Sequence, residues 1–235
     1  MSAKFERNKL IESTMQNELN YFANPLVEHM CSMYRTPDIY WSFLNLMRRY
    51  CVGITHNDGV VYWQVGKNGE CNLGKVVRYD SNGEACKWSD IEWLSLDQSM
   101  PTNQLQRYPF GLHLLPNHPQ DVSIAVVANE VSALLAMTYN VIYLRNDKQL
   151  PLYIATGGMG TMDTLQHLQG RNVTLFPDDD LTETWTYLAQ MQSDKFKSIE
   201  VCPMVRNMVN RSLLPPGSTF TDMIATWRQN KLRRV

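Results

Sequence analysis

The sequence predicts an α+β protein, in which N-terminal helices and an antiparallel β-meander precede an α/β part with a mainly parallel sheet. Three observations support this fold class. Residues 1–50 carry apolar side chains at helical spacing, and residues 60–88 hold β-branched and aromatic runs separated by Asn-Gly turns. Residues 123–202 alternate short apolar runs with helical stretches, which is typical of strands that are covered on both faces.

The predicted organisation has three parts. A helical and β-meander module spans residues 1–107, an α/β domain spans residues 108–205, and a C-terminal helical tail spans residues 206–235. Residues 89–107 are polar and contain Pro101, which indicates a connection between the first two parts.

Three helices are predicted in the first module. Residues 5–22 place apolar side chains close to a 3.6-residue period, and Asn24-Pro25 ends this pattern. Pro25 fits the first turn of a second helix at 26–34, and a third helix is predicted at 39–50. The three antiparallel strands of the meander are predicted at residues 60–65, 74–79 and 84–88.

The second half of the chain alternates strands and helices. Its predicted strands lie at residues 123–127, 152–155, 173–176 and 198–202, with a short extended segment at 141–144. Its predicted helices lie at residues 130–139, 161–168, 182–192 and 220–231. Because parallel sheets of this type bind ligands at the carboxyl ends of their strands, functional residues are expected there.

The overall charge excludes a strong general attraction to nucleic acid or to anionic membranes. The chain of 235 residues has 22 Lys and Arg against 23 Asp and Glu, which gives a formal net charge of −1. Any nucleic-acid contact therefore needs a local basic patch. The candidates are four C-terminal residues, Arg228, Lys231, Arg233 and Arg234, although a charged tail also serves solubility.

The chain is expected to be soluble and cytoplasmic, without membrane association. Residues 1–10 are charged and lack the apolar core of a secretory signal, and no run approaches the roughly 20 apolar residues of a membrane span. The five cysteines are scattered and odd in number, which favours reduced thiols. Cys51, His56, Cys71 and Cys86 share one region, but they lack a Cys-x-x-Cys pair, so small buried side chains are a better interpretation than zinc ligands.

Three consecutive aspartates at positions 178–180 are the most informative feature of the sequence. They follow the apolar run 173–177 and precede a predicted helix. Because side chains on a strand repeat every two residues, Asp178 and Asp180 at a strand end can face one Mg²⁺ together. The alternative is that one aspartate caps the next helix and the others lie in the positive field at its N-terminus.

Three strand ends converge at one edge of the predicted sheet: Ala128-Asn129-Glu130, Thr156-Gly157-Gly158 and Asp178-Asp179-Asp180. Their order and spacing resemble the toprim domain of bacterial primases, topoisomerases and some nucleases over about residues 108–205. In that family a Glu ends the first strand, a glycine-bearing turn follows the second, and an Asp-x-Asp ends the third. The resemblance implies Mg²⁺ at Asp178 and Asp180, phosphate at the backbone of Gly157 and Gly158, and phosphoryl-transfer chemistry on nucleic acid.

Further segments look like an uncharacterised toprim-like family that is carried on bacterial mobile elements, and they extend the resemblance back to about residue 40. These segments are Tyr62-Trp63-Gln64, Gly74-Lys75, Gly111-Leu112-His113-Leu114-Leu115, Ala155-Thr156-Gly157-Gly158 and Leu175-Phe176-Pro177-Asp178. This second resemblance implies a mobile-element or DNA replication setting, with a replication or mobilisation protein as a candidate partner.

The sequence departs from the toprim pattern at the first strand end. Aligning the helix start places Ala128 where the family has its catalytic Glu, and a methyl group cannot bind metal or carry a proton. Glu130 becomes the candidate catalytic residue if its side chain curls back, but it equally fits the first turn of a helix, where the dipole favours a carboxylate. Asn129 could coordinate a cation through its amide oxygen, but it cannot act as a base.

The function predicted from these residues is that of a degenerate toprim-like protein, which binds DNA, RNA or a replication partner with weak or no catalysis. One alternative is an active Mg²⁺-dependent nuclease or primase-like phosphotransferase that uses Asp178, Asp180 and Glu130. A second alternative is a protein-interaction or regulatory module, either receiver-like or presenting tryptophans of the first module. The sequence alone leaves open whether the chain is an enzyme.

Overall fold

The computed structural model describes residues 9–15, 21, 23–33, 39–86, 91–97, 99–143 and 150–232. By its internal contacts the chain divides into two compact units, Met1–Pro116 and Asn117–Val235. The domain boundaries predicted at 107/108 and 205/206 remain predictions.

The first unit contains helices and a four-stranded antiparallel sheet. The helices are α1 (Lys9–Met15), α2 (Pro25–Met33) and α3 (Ile39–Arg49). The strands β1 (Val52–Ile54), β2 (Val60–Val65), β3 (Cys71–Val77) and β4 (Glu92–Ser95) pair in the order β1-β2-β3-β4. The helix predicted at 5–22 is seen over residues 9–15, and most of its remainder lies outside the described residues.

The strand predicted at residues 84–88 is reduced to an isolated bridge over residues 84–86, and residues 87–88 lie outside the described residues. Asp80 Oδ1 accepts hydrogen bonds from two N–H groups of the same turn, at 2.9 and 3.0 Å, and in the described part of this segment only an isolated bridge between Tyr79 and Ala85 follows. β3 pairs instead with β4, inside the segment whose polar residues predict a connection. The side chains of β4 are partly exposed, so the apolar alternation on which a strand prediction depends is weak there.

One part of the core of the first unit lies between the sheet and α1. Trp63 is fully buried, and its indole N–H donates a hydrogen bond to Thr14 Oγ1 at 3.1 Å. Gly53 permits this close approach, because a Cβ at that position would lie 2.4 Å from Thr14 Oγ1. Ile11, Val61 and Val76 complete the cluster around the indole. The position of α1 on the sheet is therefore fixed by both packing and a buried hydrogen bond.

The second unit contains a parallel sheet with helices on both faces. Strands β5 (Ile124–Val127), β6 (Leu152–Ala155), β7 (Asn172–Phe176) and β8 (Ser198–Val201) pair in the order β6-β5-β7-β8. The helices are α4 (Glu130–Tyr143), α5 (Thr161–Gln166), α6 (Thr182–Met191), α7 (Met204–Asn210) and α8 (Phe220–Leu232). This architecture confirms the predicted α+β class. Within the described part of the chain, no helix has the length and apolar character that crossing a bilayer requires.

Strand alternation places two sets of side chains on opposite faces of the parallel sheet. Tyr153 and Phe176 lie on the face that α4 and α8 cover. Ile199 and Val201 have the opposite parity and lie beside α6. Because helices cover both faces, all four residues of β5 are buried.

Two predictions for the second unit need correction. α4 continues to Tyr143, so residues 141–143 of the extended segment predicted at 141–144 are helical, while residue 144 lies outside the described residues. Asn140 does not end this helix; it is buried and its side chain is hydrogen-bonded to Tyr153. α7 is an additional helix, which begins directly after Pro203.

Candidate functional site

The carboxyl ends of three strands meet at one edge of the parallel sheet. β5 lies between β6 and β7, and the last residues of these strands, Val127, Ala155 and Phe176, are in register. The segments that follow β5 and β7 therefore begin side by side. Residues 128–130 are called the alanine corner and residues 178–180 the aspartate corner. The prediction that these two corners are neighbours is confirmed.

Backbone groups, rather than a carboxylate, occupy the strand end at the alanine corner. The carbonyl oxygen of Ala128 accepts hydrogen bonds from Thr156 Oγ1 at 2.8 Å and from the N–H of Gly157 at 3.2 Å. The N–H of Thr156 donates to the carbonyl of Val127 at 3.0 Å. These bonds fasten the ends of β5 and β6 together, and the methyl group of Ala128 adds nothing that can bind metal or move a proton.

Asn129 caps α4. Its Oδ1 accepts a hydrogen bond from the N–H of Ser132 at 2.8 Å, which is the arrangement of an N-cap side chain with the third residue of the helix. The amide oxygen that could coordinate a cation is therefore already engaged. The cap also fixes the direction in which α4 leaves the sheet edge.

Glu130 is the first residue of α4 and is only 3% exposed. Its carboxylate lies close to the turn after β6, since a Cβ on Gly157 would be 2.8 Å from Glu130 Oε1. The side chain thus curls back to the sheet edge while it also occupies a helix first turn, where the dipole favours its charge. The catalytic role of Glu130 remains a prediction.

The turn after β6 requires glycine. Gly157 and Gly158 have φ angles of +62° and +90°, in the left-handed region that favours glycine. Gly157 is buried and donates its N–H to Ala128, so this donor is not open to a ligand, whereas Gly158 is exposed. Phosphate binding by Gly157 and Gly158 remains a prediction.

The aspartate corner is not a continuation of β7. The strand ends at Phe176, Asp178 has extended backbone angles, and Asp179–Leu181 form a single turn of 3-10 helix. The two-residue alternation that would direct Asp178 and Asp180 to one cation therefore stops before Asp180. Asp178 and Asp179 are buried, while Asp180 is exposed.

Asp178 caps a helix that begins 42 residues later in the chain. Its Oδ1 accepts a hydrogen bond from the N–H of Phe220, the first residue of α8, at 2.8 Å. Burial raises the pKa of Asp178 to about 6; the N–H of Phe220 opposes this increase, and the negative charges of Asp180 and Asp222 add to it. Helix capping by an aspartate of the triplet is thus correct, but the capped helix is α8 and not the next helix.

Asp179 holds the segment that leads into α8. Its Oδ2 accepts a hydrogen bond from the N–H of Gly217, and its own N–H donates to the carbonyl of Ser218, both at 2.9 Å. Arg206 of α7 forms an ion pair with Asp179, with Nε 2.5 Å from Oδ1, and Nη2 donates to the backbone carbonyl of Asp179 at 2.7 Å. The Nε–Oδ1 contact is ionic, without the alignment of a hydrogen bond. Sequence reasoning did not identify Arg206, because no local pattern links residues 27 positions apart.

α8 begins with a capping box. The N–H of Thr219 donates to Asp222 Oδ2 at 2.7 Å, and the N–H of Asp222 donates to Thr219 Oγ1 at 3.2 Å. In the first turn of α8, Thr221 Oγ1 lies 2.8 Å from Ser132 Oγ of α4. The Thr-x-x-Asp spacing is the sequence signal that could have located this helix start.

These contacts do not fit a Mg²⁺ site at the aspartate corner. Mg²⁺ requires near-octahedral oxygen ligands, but Asp178 Oδ1 is bonded to a backbone N–H and Asp179 is paired with Arg206, which leaves Asp180 as the exposed carboxylate. Across the part of the chain that the structure describes, no three His, Cys, Asp or Glu side chains come together as metal ligands. Metal binding by Asp178 and Asp180 remains a prediction that this arrangement does not favour.

A cavity of about 270 Å³ lies beneath α8. Its lining includes Phe220 and Met223 of α8, Ala136 of α4, and Tyr153 and Phe176 of the sheet. The ring centroids of Phe176 and Phe220 are 5.2 Å apart, so an aromatic contact bridges the sheet and the helix at one side of the void. Packing between α8 and the sheet is therefore incomplete.

The predicted basic patch falls largely outside the described part of the chain. α8 extends to Leu232, but nothing is described for the side chains of Arg228 and Lys231 or for Arg233 and Arg234. Their proposed contact with nucleic acid is therefore a question for experiment.

Comparisons with known proteins identify one family model and several similar folds. A family model described as "Domain of unknown function (DUF6371)" matches residues 24–179. No curated protein matches the chain. Among solved structures, the chain is similar to the E. coli primase catalytic core, with a TM-score of 0.52 and 10% sequence identity, over 89% of this chain and 76% of that chain.

Two further primases are similar over most of this chain. The RNA polymerase domain of Mycobacterium tuberculosis primase DnaG gives a TM-score of 0.47 at 10% identity, over 94% of this chain and 87% of that chain. The zinc-binding and RNA polymerase domains of Aquifex aeolicus primase give 0.48 at 11% identity, over 92% and 60%. At such low identity the likeness to the E. coli structure shows a shared fold, the toprim-type fold of primase catalytic cores, and it does not show a shared activity.

Proposed function

We propose that this chain, which belongs to the DUF6371 family, has a nucleic-acid-associated function on a primase-like fold, with weak or absent catalysis. The observation that carries this proposal is the carboxyl edge of a sheet whose fold is that of a primase catalytic core. Ala128 directly follows one strand there, and the adjacent strand leads to Asp178, whose Oδ1 accepts a hydrogen bond from the N–H of Phe220. The setting we propose is DNA replication or a mobile element, with a replication or mobilisation protein as a partner.

The proposal of weak catalysis is supported by the side chains at this edge, because several of them already have structural partners. Phosphoryl transfer needs acidic groups that can hold a cation and move a proton. Asn129 is engaged as a helix cap, Asp178 as a cap of α8, and Asp179 in an ion pair with Arg206. Their hydrogen bonds stabilise the fold, so these groups reach a substrate only if the fold rearranges.

The nucleic-acid contact that we propose lies at the basic residues of the C-terminus, Arg228, Lys231, Arg233 and Arg234. Basic side chains bind phosphates with little sequence preference and release counterions when they do so. Arg228 and Lys231 belong to the last turns of α8, where the helix dipole favours positive charge, so their charge alone does not establish binding. A measured salt dependence separates these two roles.

The proposal is tested by gel-shift and fluorescence-anisotropy titrations with single-stranded DNA, double-stranded DNA and RNA, each with EDTA and with Mg²⁺. Binding is expected with EDTA. Changing Arg228, Lys231, Arg233 and Arg234 together to Gln should reduce the slope of log K against log salt by up to about 3 for single strands.

A matched control removes the same charge elsewhere. The control uses four of the exposed cations in the described part of the chain, three of which lie in the second unit: Lys67, Lys195, Lys197 and Arg211. Changing these four together to Gln should leave the salt slope close to that of the wild type. Absence of binding to all three nucleic acids at low salt would contradict the proposed function, and equal slopes for the two quadruple variants would contradict its location.

An active Mg²⁺-dependent nuclease or primase-like phosphotransferase is the second candidate, and the position of Glu130 favours it. Its carboxylate lies at the end of β6, next to the two strand ends that carry Ala128 and Asp178. The discriminating variants are Asp178→Ala and Asp178→Asn, because Asn keeps an acceptor for the N–H of Phe220 and Ala does not.

Cleavage and primer synthesis with Mg²⁺ or Mn²⁺ are the measurements. Loss of activity in Asp178→Asn, at an unchanged melting temperature, would establish the enzyme and displace our first proposal. Activity in Asp178→Ala at the wild-type level would show that the aspartate corner is not its source.

A further inference from the structure

The N-terminus of α8 lies at the aspartate corner and contacts it through backbone N–H groups. The N–H of Phe220 is 2.8 Å from Asp178 Oδ1, and the N–H of Gly217 is 2.9 Å from Asp179 Oδ2. Two neighbouring carboxylates are therefore satisfied by one short segment, residues 217–220. The charge-assisted hydrogen bonds of such groups are stronger than those between neutral groups.

The same helix start is also attached to the element that follows the alanine corner. Thr221 Oγ1 lies 2.8 Å from Ser132 Oγ, in the first turn of α4 and two residues after Glu130. Because β5 and β7 are adjacent strands, the first turn of α8 contacts the segments that follow both of them. The helix therefore extends across the edge at which the two corners meet.

A helix N-terminus carries a partial positive charge of roughly half an elementary charge, together with N–H donors that have no partner inside the helix. α8 has 13 residues, so its dipole is well developed. It gives Asp178 the two things that a bound cation gives a carboxylate, a positive potential and a directed contact to an oxygen. We infer that the N-terminus of α8 takes the place of a divalent cation at Asp178, and that this corner binds divalent cations only when α8 is displaced.

Packing beneath α8 supports a helix that can be displaced. The cavity of about 270 Å³ is lined on one side by Phe220, Met223 and Ile224 of α8. This pocket is partly open to solvent, so the α8 side chains that face it make fewer dispersion contacts than they would in a filled core. Phe220, Met223 and Ile224 are buried, so α8 is held both by their packing and by the polar contacts of its first turn.

The test uses the full-length chain and Mn²⁺ as the probe, followed by electron paramagnetic resonance. The informative pair is Phe220→Pro and Phe220→Ala. Both remove the ring, but proline also removes the N–H that Asp178 accepts, and proline fits the first position of a helix. We expect the wild type to show no Mn²⁺ binding that depends on Asp178, and Phe220→Ala, which loses the packing of the ring on Phe176 but keeps the N–H, to bind weakly. Phe220→Pro should bind Mn²⁺ at least tenfold more tightly than Phe220→Ala.

Adding Asp178→Asn to Phe220→Pro should remove the gained binding. The inference is overturned if Phe220→Pro binds Mn²⁺ no more tightly than Phe220→Ala. It is also overturned if the wild type binds Mn²⁺ at a site that Asp178→Asn abolishes.

A second variant tests the inference without altering the backbone. Thr221→Val keeps the shape of the side chain and removes the hydroxyl that contacts Ser132, so it loosens the start of α8. We expect Mn²⁺ binding that the wild type lacks and that Asp178→Asn removes, and the absence of such binding counts against the inference if Phe220→Pro does not fold. Nucleic-acid binding is measured with EDTA, so failure of that proposal and failure of this one give different results.

Discussion

Arg206 contacts Asp179 at two points, with Nε 2.5 Å from the carboxylate and Nη2 2.7 Å from the backbone carbonyl. Arginine is suited to this double contact because its donors form a fixed, planar fork. The pair joins α7 to the aspartate corner, and it keeps a buried carboxylate from being left without a cation.

Arg206→Met should lower the free energy of unfolding by about 2 kcal/mol, because it leaves the buried Asp179 uncompensated. The value lies below that of a fully buried pair, since the Arg206 side chain is one third exposed. Urea unfolding followed by circular dichroism measures it. Glu183→Gln is the matched control: Glu183 lies 3.8 Å from Arg206 and its side chain is 88% exposed, so its removal should change stability by less than about 0.5 kcal/mol. Equal effects of the two variants would contradict this account.

The pKa of Asp178 predicts an unusual pH dependence of stability. The pKa is raised from 3.8 to about 6 in the folded protein, so between these values the folded state binds a proton that the unfolded state lacks. Stability from this group is therefore highest below pH 4 and falls as pH rises through 6, opposite to the usual behaviour of a carboxylate.

Asp178→Asn removes this titration and keeps an acceptor for Phe220. Relative to the variant, the wild type should lose at most about 3 kcal/mol of unfolding free energy between pH 4 and pH 7, and little more above pH 7. Urea unfolding of both proteins at several pH values measures the difference. A difference that stays constant with pH, or that grows in favour of the wild type, would show that Asp178 does not titrate in this way.

Gly157→Ala should destabilise the protein by about 3 kcal/mol, for two separable reasons. A positive φ disfavours any Cβ, and here the new Cβ would also lie 2.8 Å from Glu130 Oε1. Gly170→Ala measures the first effect alone, because Gly170 has a φ of +74° and open space around its Cβ position. We expect about 1 kcal/mol for Gly170→Ala, and a similar value for Gly157→Ala in a Glu130→Ala background. An unchanged effect of Gly157→Ala in that background would show that Glu130 does not approach the turn.

Filling the cavity beneath α8 should stabilise the second unit. Ala136→Leu extends a side chain of α4 into this pocket. We expect the free energy of unfolding to rise by about 1 kcal/mol, which corresponds to a rise in melting temperature of roughly 2–4 °C. Ala133→Leu is the control one turn earlier on the same helix, where the side chain is fully buried and is not among the residues that line the void. Overpacking there should lower the melting temperature. A decrease for both variants would mean that the void closes in solution.

The sequence predicted the parts of this protein that depend on local patterns. Apolar runs of four or five residues located β5, β6 and β7, and parallel-sheet topology brought the ends of β5 and β7 together. The contacts of the aspartate corner could not be predicted in this way, because Asp178 is hydrogen-bonded to a donor 42 residues away and Asp179 is paired with an arginine 27 residues away. Single-sequence reasoning has no signal for such pairs. It could, however, have located the start of α8 from Thr219 and Asp222.

The sequence failed to predict β4 for a different reason, which is local. Its side chains are only partly buried at the edge of the antiparallel sheet, so the alternation of apolar and polar residues that predicts a strand is weak. The strand is held in the sheet mainly by its backbone pairing with β3. The neighbouring segment follows an Asn-Gly turn, which is a strong hairpin signal, but over its described residues, 84–86, only one bridge forms.

The distance in sequence between Asp178 and Phe220 also sets an order of events during synthesis. At about 5–20 residues per second, the ribosome needs roughly 2–8 s to add the 42 residues that separate the carboxylate from its donor. During about the first half of that interval β8 (Ser198–Val201) has not been made, so the outer edge of β7 presents unpaired backbone groups. A nascent chain that stops before residue 198 therefore exposes a strand edge that can pair with other chains.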